Sequence, residues 1–361
     1  MTPVPNSSVS NRPVVLTGDT PTGQLHLGHY VGSVRRRVEM QDRAECYFII
    51  ANIHAFTTRA DKPQDIRRDC LEIVRDYLAM GIDPAKSHVF LQSEVPAIAE
   101  LTYLFAMLLP FNRVMRNPTL KDEIRDKGLG DNYSFGFPLY AVGQTADILA
   151  FRAHSVPVGE DQVPHLELTR EVARRFNQMY CDVSDKAEDA DHEKLGGVFP
   201  IPVADVGKVG RLVGVDGQKK MSKSLGNAIF ISDSPKDVQK KVNKIFTGRQ
   251  SPTEKGDTNN ALFQYVRTFI TDSARVAELE RKYSEGDNIG DGHVKQEVSE
   301  AINTLLEPMR ERRKQYEGND AAILKIIKQG CDAAITCTEK TLTRAKEAAG
   351  MGFFPRTVSY S

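Results

Sequence analysis

Cysteine is scarce and tryptophan absent among the 361 residues. The five cysteines (Cys46, Cys70, Cys181, Cys331 and Cys337) are odd in number, scattered and never spaced C-x-x-C. That argues against a disulfide framework or a zinc site and for a reducing, cytoplasmic compartment. Long apolar runs are missing too. No stretch approaches the roughly 20 residues that span a bilayer, and the polar start MTPVPNSSVSNRP has no apolar h-region, so neither a membrane span nor a leader is expected. Charge of one sign is also lacking. Lys plus Arg number 48 and Asp plus Glu 48, so no global field draws the chain onto membrane or DNA, and any polyanion must be met by local patches. No internal repeat is found.

What is present is ordinary globular composition, 40% hydrophobic and 27% charged, with room for two domains at roughly 100 to 200 residues each. Residues 1–11 read as a disordered lead-in. From residue 12 apolar runs and helical spacings alternate. Residues 12–18 (RPVVLTG) form a short strand and 30–41 a helix, and 46–53 (CYFIIANI) has the near-continuous apolarity of a strand buried on both faces. Ile66, Cys70, Ile73, Val74, Tyr77 and Leu78 then recur at helical spacing, with Gly81 and Pro84 as stop signals. Residues 88–92 give another strand and 97–109 another helix. The alternation predicts a doubly wound, Rossmann-like α/β domain over 12–205, with ligands at the carboxyl ends of its parallel strands.

From 206 to 232 five glycines punctuate a polar, Lys-bearing stretch that reads as a mobile loop. Beyond it, Val238, Val242, Ile245 and Phe246, then Val294, Val298, Ile302, Leu305, Leu306 and Met309, mark amphipathic helices. An α-helical domain over 233–349 follows, with a tail over 350–361. Residues 321–349 read as one or two helices.

The turn after the first strand, PTGQLHLGHY, places Gly23 and Gly28 almost as a phosphate-cradling P-loop does. The match fails at His29 and Tyr30, where a P-loop needs Lys and Ser or Thr. Instead His26 and His29 flank Gly28 at a helix start, where backbone amides attract phosphate, glycine lets a nucleotide approach and imidazoles can donate to developing charge. Two ordinary surface histidines would look the same. Far downstream, Lys219-Lys220-Met221-Ser222-Lys223-Ser224 interleaves ammonium and hydroxyl donors suited to a triphosphate, on a loop whose glycines let it close. A solvated basic loop is the plain alternative.

His-x-Gly-His after the first strand and Lys-Met-Ser-Lys-Ser well downstream together resemble the paired signature of class I aminoacyl-tRNA synthetases. Between them, QTADIL (144–149) and VPVGEDQ (156–162) followed by HLELTR (165–170) resemble the tryptophanyl-tRNA synthetases, and the likeness runs from about residue 12 to 248. The resemblance implies ATP and Mg²⁺ as cofactors, L-tryptophan and tRNA(Trp) as partners, and a homodimer bridged by the tRNA. It implies phosphate-charge stabilisation by His26, His29, Lys121, Lys220 and Lys223. It also implies ATP contacts at Thr20, Gly28, Gly159, Asp161, Met221, Ser222 and Ser224. Tyr140 and Gln162 would hold the substrate's amino and carboxylate groups, Val156 and Val158 would wall the pocket, and Asp147 would accept the indole N–H. A buried carboxylate left unpaired by phenylalanine is a strong discriminator. No protein ligand is implied for the metal, which ATP phosphates would hold.

The chain departs from the pattern at Thr20, Ala141 and Gln144, where the family commonly has Gln, Pro and Met. Gln144 is expected to line the tryptophan pocket; with Asp147 it also makes the Gln-x-x-Asp pattern of tyrosyl enzymes, so tyrosine is the second substrate reading. A nucleotidyltransferase of the same superfamily would need neither the lysine loop nor a helical domain. A binding paralogue with weak charging is the reading from another class. Basic clusters at Lys236, Lys240, Lys241 and Lys244, or Arg310, Arg312, Arg313 and Lys314, are candidate tRNA contacts, with solvated helix faces as the alternative.

Overall fold

The computed structural model describes residues 12–159, 162–206, 212–356 and 358. The lead-in, Asp161 and two of the loop glycines, Gly207 and Gly210, lie outside the described residues.

Five parallel strands form one sheet in the order β3-β2-β1-β4-β5: β1 (Val14–Asp19), β2 (Glu45–Ile50), β3 (Ser87–Leu91), β4 (Ser155–Val158) and β5 (Val203–Val206). The central strands are buried on both faces, which is why β2 reads ECYFII without alternation. The strand expected over 46–53 ends sooner, at Ile50, because Asn52 already belongs to a helix.

The crossovers carry the helices. The first comprises α1 (Leu27–His29), a π-helical turn Tyr30–Val34 and α2 (Arg35–Met40); the second is α3 (Asn52–Arg59) and α4 (Pro63–Met80). α4 stops at Gly81, whose φ of 107° is left-handed and whose N–H closes the last turn. From β3 the chain passes a 3₁₀ turn, Gln92–Glu94, to α5 (Pro96–Ala106), α6 (Phe111–Met115), α7 (Pro118–Asp126) and α8 (Gly136–Ala150); α9 (Val163–Tyr180) joins β4 to β5. The strand order reverses between β1 and β4. Their carboxyl ends therefore splay connections to opposite sides and open the crevice where such folds bind ligands.

After β5 the described residues contain helices only: α10 (Pro235–Asn243), α11 (Ala261–Phe269), α12 (Ser273–Glu285), α13 (Asp291–Lys314) and α14 (Asp320–Ala348). The stretch 321–349 is thus one helix. It does not stand apart from the sheet. α14 lies against β3, where a Cβ on Gly330 would come 2.0 Å from the carbonyl oxygen of Val89, so glycine is what lets helix backbone meet strand. One apolar cluster runs continuously from the strands into α11, α13 and α14.

The stretch read as a mobile loop is organised where it is described, from 212 onwards. Val213 and Lys220 pair antiparallel, and Asn227 ties the turn together by accepting from Ser222 N and donating to Asp216 and to the Lys220 carbonyl. Buried Leu212, Val215, Met221, Ala228, Ile229 and Ile231 anchor it. These polar ties have no sequence period, so pattern reading sees a featureless loop.

Candidate active site

The segment 21–27 after β1 is fixed by its backbone. Arg59 donates to the Pro21 carbonyl, Asp76 accepts the Leu25 N–H at 2.6 Å, Ile231 N donates to Leu25 O, and Leu27 N donates to Ile229 O. His26 caps α1, and its N–H is accepted by His29 Nδ1 at 3.2 Å; neutral His29 therefore carries its hydrogen on Nε2 as a donor. The two rings lie 3.8 Å apart. Burial, then each other's charge and Lys220, press His26 down to about 3, and burial likewise lowers His29, so both are neutral donors at pH 7. His26 Nδ1 is buried without a protein partner. Behind His29, Asp19 at the end of β1 bonds Arg37 and Tyr77; burial alone would raise it, but Arg37 and His29 hold it down at about 2.

Gly28 is needed here for a reason the sequence does not show. A Cβ there would stand 2.9 Å from His26 Nδ1 and 3.4 Å from the Met221 side chain. The lysine loop docks on this segment, and Lys223 Nζ donates to the Thr22 carbonyl at 3.0 Å. Lys220 and Lys223 are exposed, and the hydroxyls of Ser222 and Ser224 bond each other at 3.0 Å. Met221 between them is 1% exposed and its side chain packs in the core. Thr20 and Gly159 sit exposed at the ends of β1 and β4, and Lys121 is exposed on α7.

Asp147, on α8, is buried and accepts from Gln92 Nε2 at 2.9 and 3.0 Å, with His54 Nε2 3.7 Å away. Burial pushes its carboxyl up to about 7, against the pull of Gln92. Gln144, one turn earlier on α8, donates to Gln162 Oε1 at 3.4 Å. Tyr140 Oη donates to Glu123 at 3.0 Å and lies 3.3 Å from His165 Nε2, while His165 Nδ1 meets Asn117, the cap of α7. Val156 belongs to the core and Val158 is half-buried beside it. Sequence reasoning assigned no role to Gln92, His54, Glu123, Asn117 or Asp76, and named His165 only within the HLELTR motif. Gln92 carried a signal, as the polar residue closing a predicted parallel strand, where ligands gather.

The basic run on α13 is spoken for. Arg313 is buried and paired with Asp76 at 2.9 Å and with Glu72 and Glu317; Arg312 donates to Ala79 O and Arg310 to Asp233 O. These residues clamp α13 to α4 and to the lysine loop's end, and only Lys314 among the four faces solvent. A polar cleft of about 600 Å³ opens behind segment 21–27, lined by Gly23, Arg68, Glu72, Lys223, Arg313 and Asp320 among others, and it does not include Asp147.

A parallel doubly wound sheet, two histidines at the switch point and a lysine loop docked on them define a class I synthetase catalytic core. The family model described as tRNA synthetases class I (W and Y) matches residues 8–307, and the chain belongs to that family. It is 43% identical to the tryptophan–tRNA ligase of Treponema pallidum, over 94% of this chain and 98% of that one. The ligase of Clostridium longisporum shares 40% over the same fractions. Among solved structures, tryptophanyl-tRNA synthetase from Campylobacter jejuni complexed with ADP and tryptophan superimposes with a TM-score of 0.80 at 30% identity, covering 93% of this chain and 99% of that one. A tyrosyl-tRNA synthetase from Archaeoglobus fulgidus shares the fold, with a TM-score of 0.62 at 22% identity.

Proposed function

We propose that the chain is an ATP-dependent tryptophan–tRNA ligase of translation. The tryptophan carboxylate attacks the α-phosphorus of ATP, the bond to the β-phosphate breaks, and tryptophanyl-adenylate and pyrophosphate form. The terminal ribose hydroxyl of tRNA(Trp) then takes the tryptophanyl group and AMP leaves. The observation that carries this reading is the docking of Lys223 onto the segment that holds His26 and His29. It gathers neutral imidazole donors and exposed ammonium groups where a leaving pyrophosphate would build up charge, and no side-chain nucleophile is required.

Exposed Lys220 and Lys223 with the His29 Nε2–H fit a polyphosphate. Mg²⁺ would ride on its phosphates and neutralise them, which agrees with the ion's reluctance to shed water. Asp147 is read as the indole acceptor, since its buried carboxylate retains lone pairs after Gln92 has donated. Gln144 donates to Gln162, which is read as holding the amino acid's polar groups, so Gln144 would act on the pocket through that residue. Residues 12–205 would form the catalytic unit, 206–232 the closing loop and 233–349 the part that meets the anticodon. A homodimer is supported by Tyr103 on α5, Met107 just after that helix and Phe111 at the start of α6, all largely exposed. With tRNA as substrate, the cytoplasm is the proposed compartment.

Amino-acid-dependent ATP–pyrophosphate exchange tests the reading. Exchange with tryptophan and not with tyrosine or phenylalanine is expected. Exchange with tyrosine would transfer the assignment to the phenol, and none with any of the three would favour a binding paralogue.

A further inference from the structure

Gln92 is 2% exposed, belongs to neither signature and engages both ends of its amide beside Asp147. Its Oε1 accepts the backbone N–H of His54 at 3.3 Å, and that bond decides which end of the amide is nitrogen. The Nε2 hydrogens then face Asp147 Oδ1 and Oδ2 at 2.9 and 3.0 Å and His54 Nε2 at 3.0 Å. Because the amide nitrogen only donates, His54 Nε2 must accept, so His54 is the neutral tautomer with its hydrogen on Nδ1. Burial and the nearby His165 agree, holding His54 down at about 4.

Glycine makes room for this arrangement. Gly143 lies one turn before Asp147 on α8, and a Cβ there would come 3.1 Å from His54 Nε2. The groups packed round Asp147 are few. His54 faces it from α3 and Gln92 from the turn after β3; Tyr140 on α8 and His165 on α9 reach it only through His54, with ring centroids 5.7 Å apart for His54 and Tyr140. No formal positive charge stands among these groups, so Gln92 is the group that favours the ionised carboxylate.

We propose that Gln92 is a positioning and specificity-determining residue for tryptophan: its amide holds Asp147 as an oriented, ionised acceptor for the indole N–H and holds His54 neutral beside it. The inference rests on Asp147 being that acceptor. One Gln92 hydrogen goes to His54 Nε2 and the other is shared between the two Asp147 oxygens, which orients the carboxylate and leaves most of its about four lone-pair sites for an incoming N–H. Without Gln92 the buried carboxyl would be protonated at neutral pH, and a carboxylic acid presents an O–H where an acceptor is needed.

The test compares tryptophan with 3-benzothienylalanine, which carries sulfur in place of the indole N–H, in ATP–pyrophosphate exchange from about pH 6 to 9. In the unaltered protein, KM for tryptophan should rise as pH falls through about 7, while KM for the sulfur analogue stays flat. Gln92→Met should raise KM for tryptophan about 10- to 100-fold with kcat changed less than about threefold, shrink the preference over the analogue equally, and move the pH dependence upward. A merely structural role would lower both substrates' parameters together and leave the pH profile in place. Asp147→Asn is the control. If it loses discrimination while Gln92→Met keeps both discrimination and pH profile, the role given to Gln92 is overturned. If Asp147→Asn itself discriminates normally, the acceptor reading fails first. Should Gln92→Met not fold, the unaltered protein still decides, because a pH-independent KM for tryptophan overturns the ionised-acceptor arrangement.

Discussion

Segment 21–27 is held by backbone bonds that arrive from α3, α4, residues 229–231 and the lysine loop, whereas the pocket round Asp147 is held by side chains bonding one another. The first arrangement leaves Lys220 and Lys223 exposed beside half-buried His29, available to a charged group that changes during reaction. The second buries its polar atoms and shifts their protonation, which suits recognition of a neutral N–H that does not change. In the proposed reaction, phosphate chemistry would be served by exposed charge on a fixed backbone, and specificity by fixed, desolvated side chains.

The sharpest way to separate the two regions is Lys223→Ala. Removing a donor confined to the leaving pyrophosphate should lower kcat for exchange about 10²- to 10³-fold and leave KM for tryptophan within about twofold. Steady-state exchange at varied tryptophan checks it; equal losses in both parameters would merge the regions.

Next comes the clamp that links them to the helical part. Asp76 is fully buried, holds Leu25 N–H and is paired with Arg313. Arg313→Met leaves that buried carboxylate without its cationic partner and should cost about 3 kcal/mol in urea unfolding near neutral pH. The pH dependence has a definite sign. Burial raises Asp76 to about 6, so between about 4 and 6 the folded state binds the proton more tightly than the unfolded one. Its contribution to stability therefore falls as pH rises through that window. In the Met variant the folded value moves higher still, so part of the loss should return on acidification. A loss independent of pH would point to packing rather than charge.

Much of this was legible beforehand, for physical reasons. Helices and buried strands repeat their apolar residues, so β1 to β3, α4 and α14 declared themselves, and the two signatures marked where phosphate would lie. The amino-acid side was thinner. Asp147 was reached through motif resemblance, while Gln92, Glu123 and Asn117 come together across long sequence separations with nothing periodic to betray them. Arg313 was misread for a similar cause. A basic run looks alike whether it faces solvent or, as here, a buried Asp76 that is 237 residues away. Met221 shows the converse, a motif residue whose own side chain serves the core.

A packing change comes next in size. Gly330→Ala would drive a methyl group into the Val89 carbonyl and push α14 off β3, at a cost of about 2 kcal/mol in unfolding free energy. Because β3 leads directly into Gln92, this variant should raise KM for tryptophan before it affects kcat, placing the disturbance on the pocket side. Equal effects on KM for ATP would show that α14 braces both regions.

The smallest expected effect concerns the outer edge of the charged side. Lys241 is engaged by Asp233 and lies over the Phe230 ring, but Lys236, Lys240 and Lys244 on or just after α10 are exposed. If α10 touches tRNA phosphate, Lys236→Ala with Lys240→Ala should weaken tRNA binding a few-fold and reduce the salt dependence of log affinity by up to about 2, roughly one per phosphate lost. Tryptophan-dependent exchange, which needs no tRNA, should be unmoved. The salt slope matters more than the affinity. Exposed charges that only tune the long-range field lose influence beyond about 10 Å at 0.1 M salt, whereas a phosphate contact releases counterions and leaves its mark on the slope. An unchanged slope would make these lysines a solvated face and move the search for the polyanion surface away from α10.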